Sequence, residues 1–200
     1  MAGYPADRQR DRCRVRELEI ILVRHAEPIA VGTPGIAEDD RPLTPAGRLA
    51  ALEIAERLAA EGPTSILSSP YRRAVETVEP LAERCGLRLS IVDDLRERRL
   101  SLTLHDGWRE SLARSWSDPD FSLPGAESGR AAQTRVRRYI ETVRERNPEG
   151  GRIVMGSHGN LIALLLSGFD PAIGVDWHLA MPMPAIYRLS HDGQGWRIDS

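Results

Sequence analysis

The chain has 200 residues, enough for one α/β domain with a single hydrophobic core. Its 27 basic residues, all of them Arg, nearly balance 29 Asp and Glu, and the formal net charge is −2. This balance provides no overall basic field for nucleic acid or an anionic membrane. The absence of Lys excludes Schiff-base catalysis and a Walker-type phosphate loop.

The cysteines and the N-terminus predict a cytoplasmic protein. Cys13 and Cys85 are far apart and neither belongs to a C-x-x-C pair, so we expect free thiols in a reducing compartment. The sequence contains neither a transmembrane run nor a secretory h-region. Residues 1–17, rich in Arg and Asp, are expected to form a poorly ordered tail before a catalytic domain over residues 18–200. A nucleic-acid arm is the alternative for this tail, which its interleaved acids disfavour.

The first predicted element is a buried strand that ends in a charged pair. Ile20 to Val23 is an apolar run, rich in β-branched residues and too short for a buried helix. Arg24 and His25 follow it, and Pro28 prevents simple continuation of the ladder. Because open α/β sheets bind ligands at the carboxyl ends of their strands, this pair is a candidate site. The alternative is an ordinary strand end with an exposed Arg and His.

A helix is predicted after the loop from Ala30 to Pro42. Thr44 and Pro45 form an N-cap followed by Pro at the first helical position, and Gly62 should end the helix. Its expected core face consists of Leu49, Leu52, Ala55 and Leu58.

A second strand and helix repeat this arrangement. The strand covers Thr64 to Leu67 and runs into Ser68-Ser69-Pro70, which we interpret as another cap followed by Pro. Arg73 should lie in the first turn of the helix, whose core face is Ala74, Val78 and Leu81. A third strand is predicted from Leu87 to Val92.

The second half of the chain predicts further alternating elements. Asp94 to Trp116 is irregular, with a short helix near its end from Trp108. Ser128 should cap a long helix with the core face Val136, Tyr139, Ile140 and Val143. The elements that follow are a strand (Arg152 to Met155), a buried helix opening with Leu161 to Leu166, and a hairpin (Ala185 to Leu189 and Trp196 to Ile198) around Asp192-Gly193. This alternation predicts a three-layer α/β/α sandwich with a mainly parallel central sheet and an antiparallel edge strand.

Three of the predicted strands end in polar residues that would converge at one edge of the sheet. These are Arg24-His25, Ser68 to Arg73, and Ser157-His158. The helices starting near Pro70 and Asn160 would direct their N-termini at the same place, which favours an anion. Two His and at least two Arg suit a phosphoryl group, because Arg forks bind its oxygens and an imidazole can attack phosphorus.

The leaving alkoxide of such a reaction needs a proton, and Glu97 is the candidate acid. The second His can donate to an equatorial oxygen as charge develops. No cofactor is expected, and the pocket lacks the carboxylate cluster of a magnesium site.

At this point the sequence resembles the histidine phosphatase superfamily, the phosphoglycerate mutase-like proteins. The resemblance spans residues 20 to 190 and rests on five motifs in the family's order. They are Leu22-Val23-Arg24-His25-Ala26-Glu27, Leu43 to Gly47, Ser68 to Thr77, Leu95-Arg96-Glu97 and Ser157-His158-Gly159. The resemblance implies that His25 is the nucleophile and that Arg24, Arg73 and His158 bind phosphate with it. It also implies that Glu97 donates the proton and later deprotonates water.

Structural alternatives accompany several of these assignments. His158 could be a capping or core His, and Glu97 could belong to a surface ion-pair cluster with the arginines around it. Glu27 could orient a pocket Arg or be merely exposed. Arg72 is interpreted as a solvated neighbour, and His105, His178 and His191 as structural residues.

The chain departs from the family pattern at two places. Ala26 replaces the usual Gly after the first His, and Arg98-Arg99-Leu100-Ser101 replaces a Gly-x-Trp-Glu-Gly run. Leu100 to Leu123 is therefore the expected lid and specificity segment.

The sequence thus predicts a metal-independent phosphatase that acts on small phosphate monoesters through phosphohistidine. The alternatives are a phosphosugar mutase, or a weakly catalytic protein that binds a phosphate ligand. Hydrolysis of protein phosphohistidine is disfavoured, because that leaving group needs less help from an acid. The expected partner is a small phosphorylated substrate, with neither nucleic acid nor membrane.

Overall fold

The computed structural model describes residues 17–100 and 107–199. The predicted tail, apart from Glu17, lies outside the described residues, as do His105 and part of the predicted lid. The strands are β1 (Leu18–Arg24), β2 (Ser65–Ser68), β3 (Leu89–Ile91), β4 (Gly151–Ser157), β5 (Ala185–His191) and β6 (Trp196–Asp199). The α-helices are α1 (Pro45–Ala59), α2 (Arg72–Cys85), α3 (Trp108–Ser117), α4 (Gly129–Arg146), α5 (Gly159–Leu166) and α6 (Val175–Ala180).

The strands form one sheet in the order β3-β2-β4-β1-β5-β6. The first four strands of this order are parallel, whereas β5 is antiparallel to β1 and β6 is antiparallel to β5. The predicted mainly parallel sheet is therefore confirmed. Its antiparallel part is the whole terminal hairpin, with β5 inside the sheet and β6 at the edge.

The sheet lies between two helical layers, which confirms the predicted sandwich. Ile20 and Leu22 of β1 belong to a core cluster with residues of α4 and α5. Ile21 and Val23 belong to a second cluster with residues of α1 and α2. Because both faces of β1 are buried, its sequence is a continuous apolar run without polar alternation.

The core face of α1 differs from the prediction. Leu49 and Leu52 are 64% and 56% exposed, and the residues buried on this helix are Gly47, Ala51, Ile54, Ala55 and Leu58. The face is set by a close approach at Gly47, where a Cβ atom would lie 2.2 Å from the carbonyl oxygen of Glu27. The side of α1 that carries Gly47 therefore packs inward, and the two leucines face solvent.

The predicted cap of α2 is also wrong. This helix begins at Arg72 after Tyr71, and no side chain caps it. Ser69 Oγ instead accepts the Tyr71 N–H at 3.2 Å and lies 2.7 Å from His158 Nε2. The predicted caps of α1 and α4 are confirmed: Thr44 accepts from Gly47 N and Ser128 accepts from Ala131 N.

The sequence did not predict α6, a short helix without a fully buried residue. No helix in the described part of the chain is both long and apolar enough to cross a membrane.

Candidate active site

The polar residues that follow β1, β2 and β4 meet at one edge of the sheet. Because β4 lies between β2 and β1, His158, which follows β4, is flanked by the residues that follow β2 and β1. The His25 N–H donates to the Ser157 carbonyl at 3.0 Å, and the Ser69 N–H donates to the Gly156 carbonyl at 2.9 Å. The parallel register thus places both histidines side by side, with ring centroids 5.2 Å apart.

The hydrogen-bond partners of the His25 ring show which of its two nitrogens carries the lone pair. Nδ1 lies 2.8 Å from the Ala26 carbonyl, which can only accept, so Nδ1 holds the proton. Arg73 Nε–H then donates to Nε2 at 3.1 Å. Burial, followed by the charge of Arg73, lowers the pKa of His25 to about 3. This imidazole is therefore neutral at physiological pH and has an unprotonated nitrogen beside a guanidinium.

His158 is completely buried, and burial followed by His25 and Arg73 lowers its pKa. Ser69 Oγ accepts the Tyr71 N–H and can donate its own proton to His158 Nε2. This arrangement leaves Nδ1–H as the free donor, and Nδ1 has no hydrogen-bond partner among the described residues. The neutral ring can therefore offer one hydrogen bond to an oxyanion.

Arg73 is the buried cation at the centre of the site. In addition to His25, its guanidinium donates from Nη1 to the Glu38 carbonyl at 2.7 Å and pairs through Nη2 with Glu38 Oε1 at 3.2 Å. Its carbon Cζ lies 4.9 Å from the ring centroid of Tyr71. Burial lowers the pKa of Arg73, and the carboxylates of Glu38 and Glu97 oppose that effect.

Arg24 approaches the site from the end of β1. Its Nη1 donates to the carbonyls of Met181 and, at 3.2 Å, Pro182. A Cβ atom on Gly159 would lie 3.0 Å from Arg24 Nε, so the glycine at the start of α5 leaves room for this guanidinium. Burial lowers the pKa of Arg24, and the charge of Glu97 opposes it.

Glu97 lies at the N-terminus of α5. Its Oε1 accepts from the backbone N–H groups of Arg98 at 2.8 Å and Leu161 at 3.0 Å, and Oε2 accepts from Asn160 N at 3.2 Å. Burial raises the pKa of this carboxyl, whereas the backbone hydrogen bonds lower it. Among the described residues no Arg side chain forms an ion pair with Glu97, so the geometry differs from the surface-cluster alternative.

Several motif residues position the site without facing it. Thr77 Oγ1 accepts the Ala26 N–H at 2.9 Å and donates to the Arg73 carbonyl at 2.6 Å, which ties α2 to the chain after His25. Glu27 is exposed and accepts from Thr44 Oγ1 at 2.8 Å, so it does not orient a pocket Arg. Motif order alone could not distinguish these roles from catalytic ones.

Two side chains that were predicted to have no role in the site, His178 and Arg72, lie at different distances from it. His178 stacks on Trp116 with centroids 6.3 Å apart, and burial followed by the charge of Arg24 lowers its pKa to about 4. It therefore borders the site. Arg72 is half exposed and pairs with Glu76 outside it.

The loop between β1 and α1 adds residues that the sequence analysis missed. Glu38 contacts Arg73, and Arg41 pairs with the same carboxylate at 2.8 Å. Their only sequence signal is a run of charges before Pro42. Within residues 17–100 and 107–199, no three His, Cys, Asp or Glu side chains are grouped as a metal site.

Comparison with known proteins identifies relatives across most of the chain. A family model for the histidine phosphatase superfamily (branch 1) matches residues 20–200. A probable phosphoglycerate mutase GpmB from Salmonella paratyphi C is 32% identical over 161 residues, which cover 75% of this chain and 74% of that protein.

Solved structures share the fold. A mycobacterial glucosyl-3-phosphoglycerate phosphatase has a TM-score of 0.76 and 26% identity, with 92% of this chain and 98% of that chain covered. A phosphoserine phosphatase from Entamoeba histolytica in complex with phosphoserine has a TM-score of 0.73 and 20% identity, with 92% and 95% covered. The second likeness concerns the fold alone.

The neutral state of His25 predicts that stability falls as the pH is lowered. The unfolded chain takes up a proton on this residue near pH 6.5, whereas folded His25 does so only near pH 3. The unfolded state binds more protons between these two pH values. His25 should therefore lower the free energy of unfolding by roughly 1.4 kcal/mol for each unit by which the pH falls. The free energy of unfolding, measured by urea denaturation at several pH values in this range, should therefore fall less per pH unit in His25→Asn than in the wild type. Equal slopes would contradict the assigned protonation state.

Proposed function

The chain belongs to the histidine phosphatase superfamily (branch 1), and on this basis we propose that it hydrolyses small phosphate monoesters through a phosphohistidine on His25. The observation that carries the proposal is the contact of His25 Nδ1 with the Ala26 carbonyl, which assigns the ring proton to Nδ1 and leaves the lone pair of Nε2 beside Arg73. The likeness to the mycobacterial phosphatase over nearly the whole chain supports hydrolysis. No metal is required in this proposal, because arginines and histidines neutralise the phosphoryl oxygens.

Substrate binding must first release the nucleophile. In the free protein the Nε2 lone pair accepts a hydrogen bond from Arg73. A phosphoryl oxygen that binds Arg73 takes over this N–H, and Nε2 is then free to attack phosphorus. Arg24 and His158 Nδ1–H bind further phosphoryl oxygens, where charge develops in the transition state.

The first chemical step transfers the phosphoryl group to His25. A bond forms between Nε2 and phosphorus while the bond from phosphorus to the ester oxygen breaks. The electron pair stays on the departing oxygen, which takes a proton from Glu97. The proton stays on Nδ1, which donates it in a hydrogen bond to the Ala26 carbonyl, and this hydrogen bond stabilises the charged ring.

The second step regenerates the enzyme. The Glu97 carboxylate removes a proton from water, and the water oxygen bonds to phosphorus as the P–N bond breaks. The electron pair returns to Nε2 and inorganic phosphate leaves. Glu97 thus acts first as acid and then as base, and the burial that raises its pKa supports the acid form.

A phosphoglycerate mutase-like transfer is the second candidate, favoured by the 32% identity to a probable phosphoglycerate mutase. A mutase must exclude water from the phosphohistidine while the substrate reorients. The segment from Leu100 to Leu123 is the only sizeable insertion after Glu97 in the sequence, and it is short. We therefore favour hydrolysis. A weakly catalytic binding protein is disfavoured, because it would not need a complete set of nucleophile, acid and phosphate ligands.

We propose a single catalytic domain over residues 18–200 that acts in the cytoplasm on a small phosphorylated substrate, with no nucleic-acid partner. Cys85 has no disulfide partner within residues 17–100 and 107–199, which agrees with a reducing compartment.

Substitution His25→Ala should abolish nearly all phosphatase turnover while the protein stays folded, because it removes the nucleophile. Acid-labile, base-stable phosphate should be trapped on the wild type and be absent from the variant. His191→Ala is the matched control, since His191 pairs with Leu18 at the opposite end of β1 and should retain activity. Substantial turnover by folded His25→Ala would refute the assignment.

Substitution Glu97→Gln should slow alkyl phosphates by roughly 10²–10⁴-fold, the usual contribution of a general acid. Aryl phosphates, whose leaving groups need less protonation, should lose less in the phosphorylation step. Burst kinetics of both substrate types would measure that step, and thermal melting would verify folding. Small and equal effects on both types would indicate that Glu97 only caps α5.

Phosphate release from 3-phosphoglycerate should exceed isomerisation to 2-phosphoglycerate, with or without 2,3-bisphosphoglycerate. An incompletely closed pocket lets water reach the phosphohistidine before the substrate can reorient. Products would be followed by ³¹P NMR, with a generic monoester as the control for hydrolytic competence. Isomerisation much faster than phosphate release would establish the mutase alternative.

A further inference from the structure

Two arginines converge on one carboxylate oxygen beside the proposed nucleophile. Arg73 Nη2 lies 3.2 Å and Arg41 Nη2 lies 2.8 Å from the same atom, Glu38 Oε1. Arg73 also contacts His25 through Nε, so this oxygen is one guanidinium away from Nε2. Guanidinium groups around a single oxyanion are the arrangement by which arginines bind phosphate.

Arg41 is held firmly in this position. Its side chain is 12% exposed, and Nη1 donates to the Ile29 carbonyl at 2.7 Å. Its Nε is buried without a hydrogen-bond partner among the described residues. The cation is therefore already in place and partly desolvated, which strengthens its attraction for an anion.

Glu38 is bound less firmly through its side chain, which is 51% exposed. Its backbone carbonyl separately accepts from Arg73 Nη1 at 2.7 Å. The carboxylate can therefore turn into solvent while the loop stays attached to Arg73.

From this geometry we propose that Arg41 is a third phosphate-binding arginine, alongside Arg24 and Arg73. Glu38 Oε1 holds the place of a phosphoryl oxygen in the free protein. An incoming phosphoryl group displaces the carboxylate, because two anions repel each other at the same guanidinium pair. The inference rests on the proposed function for the identity of this anion and extends it by a residue that none of the five sequence motifs includes.

The affinity for inorganic phosphate tests the role of Arg41 directly. Calorimetric titration should show binding about tenfold weaker in Arg41→Gln, the loss expected for one charge-assisted hydrogen bond. Glu38→Gln should bind phosphate several-fold tighter, because removing an internal competitor raises the binding-competent fraction. Arg72→Gln is the matched control, since that arginine is half exposed and pairs with Glu76, and it should bind like the wild type.

The double variant separates direct contact from an effect through the loop. If Arg41 binds phosphate, Arg41→Gln should weaken binding in the Glu38→Gln background as well. If Arg41 only holds Glu38, the second substitution should have no effect there, and the proposal is overturned. Arg41→Lys, which keeps the charge and loses the fork, should give an intermediate affinity, and circular dichroism would verify that each variant is folded.

Hydrolysis of p-nitrophenyl phosphate by the same variants distinguishes this inference from the proposed function. Phosphate binding that depends on Arg41, without turnover by the wild type, would support the inference and contradict the proposed function. Turnover with a phosphate affinity indifferent to Arg41 would support the proposed function and overturn the inference. A wild type that neither binds phosphate nor turns over would overturn both.

Discussion

A buried guanidinium in contact with a neutral imidazole is the interaction on which the candidate site depends. Arg73 can remain beside His25 because burial and positive charge together keep that ring unprotonated. A protonated His25 would repel Arg73 and lose its lone pair. The same contact therefore keeps the proposed nucleophile unprotonated, although a neutral ring leaves the charge of Arg73 uncompensated. The carboxylate of Glu38 pairs with the other side of this guanidinium and opposes its charge.

The central position of β4 organises the remaining residues. Its carboxyl end carries His158, and α5 begins directly afterwards, so one turn of chain brings together a donor ring and a helix N-terminus. Ser157 Oγ donates to the Leu95 carbonyl at 2.8 Å, which fixes the turn that carries Glu97. The Glu97 carboxyl then accepts hydrogen bonds from backbone N–H groups of α5. The proposed acid and the second histidine are thus positioned by the same element.

Motif residues in this chain divide into chemical and architectural roles. Gly47 permits close packing of α1 on the chain after His25, and Thr77 joins that chain to α2. Ser69 contacts His158 and thereby selects which ring nitrogen is free. In the proposed reaction these residues would hold the reacting groups in place, because a nucleophile must be held within a fraction of an ångström to react efficiently.

The sequence by itself determined the sandwich and the edge of the sheet at which His25, Arg73 and His158 meet. Apolar runs that end in polar residues indicate parallel strands. Parallel strands bring their carboxyl ends to the same edge of the sheet, independent of the conformation of the connecting loops. Only the tertiary structure decided which face of α1 is buried, that Glu97 is held by backbone N–H groups, and that Arg41 shares a carboxylate with Arg73. These features depend on contacts between segments that are distant in sequence. Local patterns of hydrophobicity and charge do not indicate which distant segments come into contact.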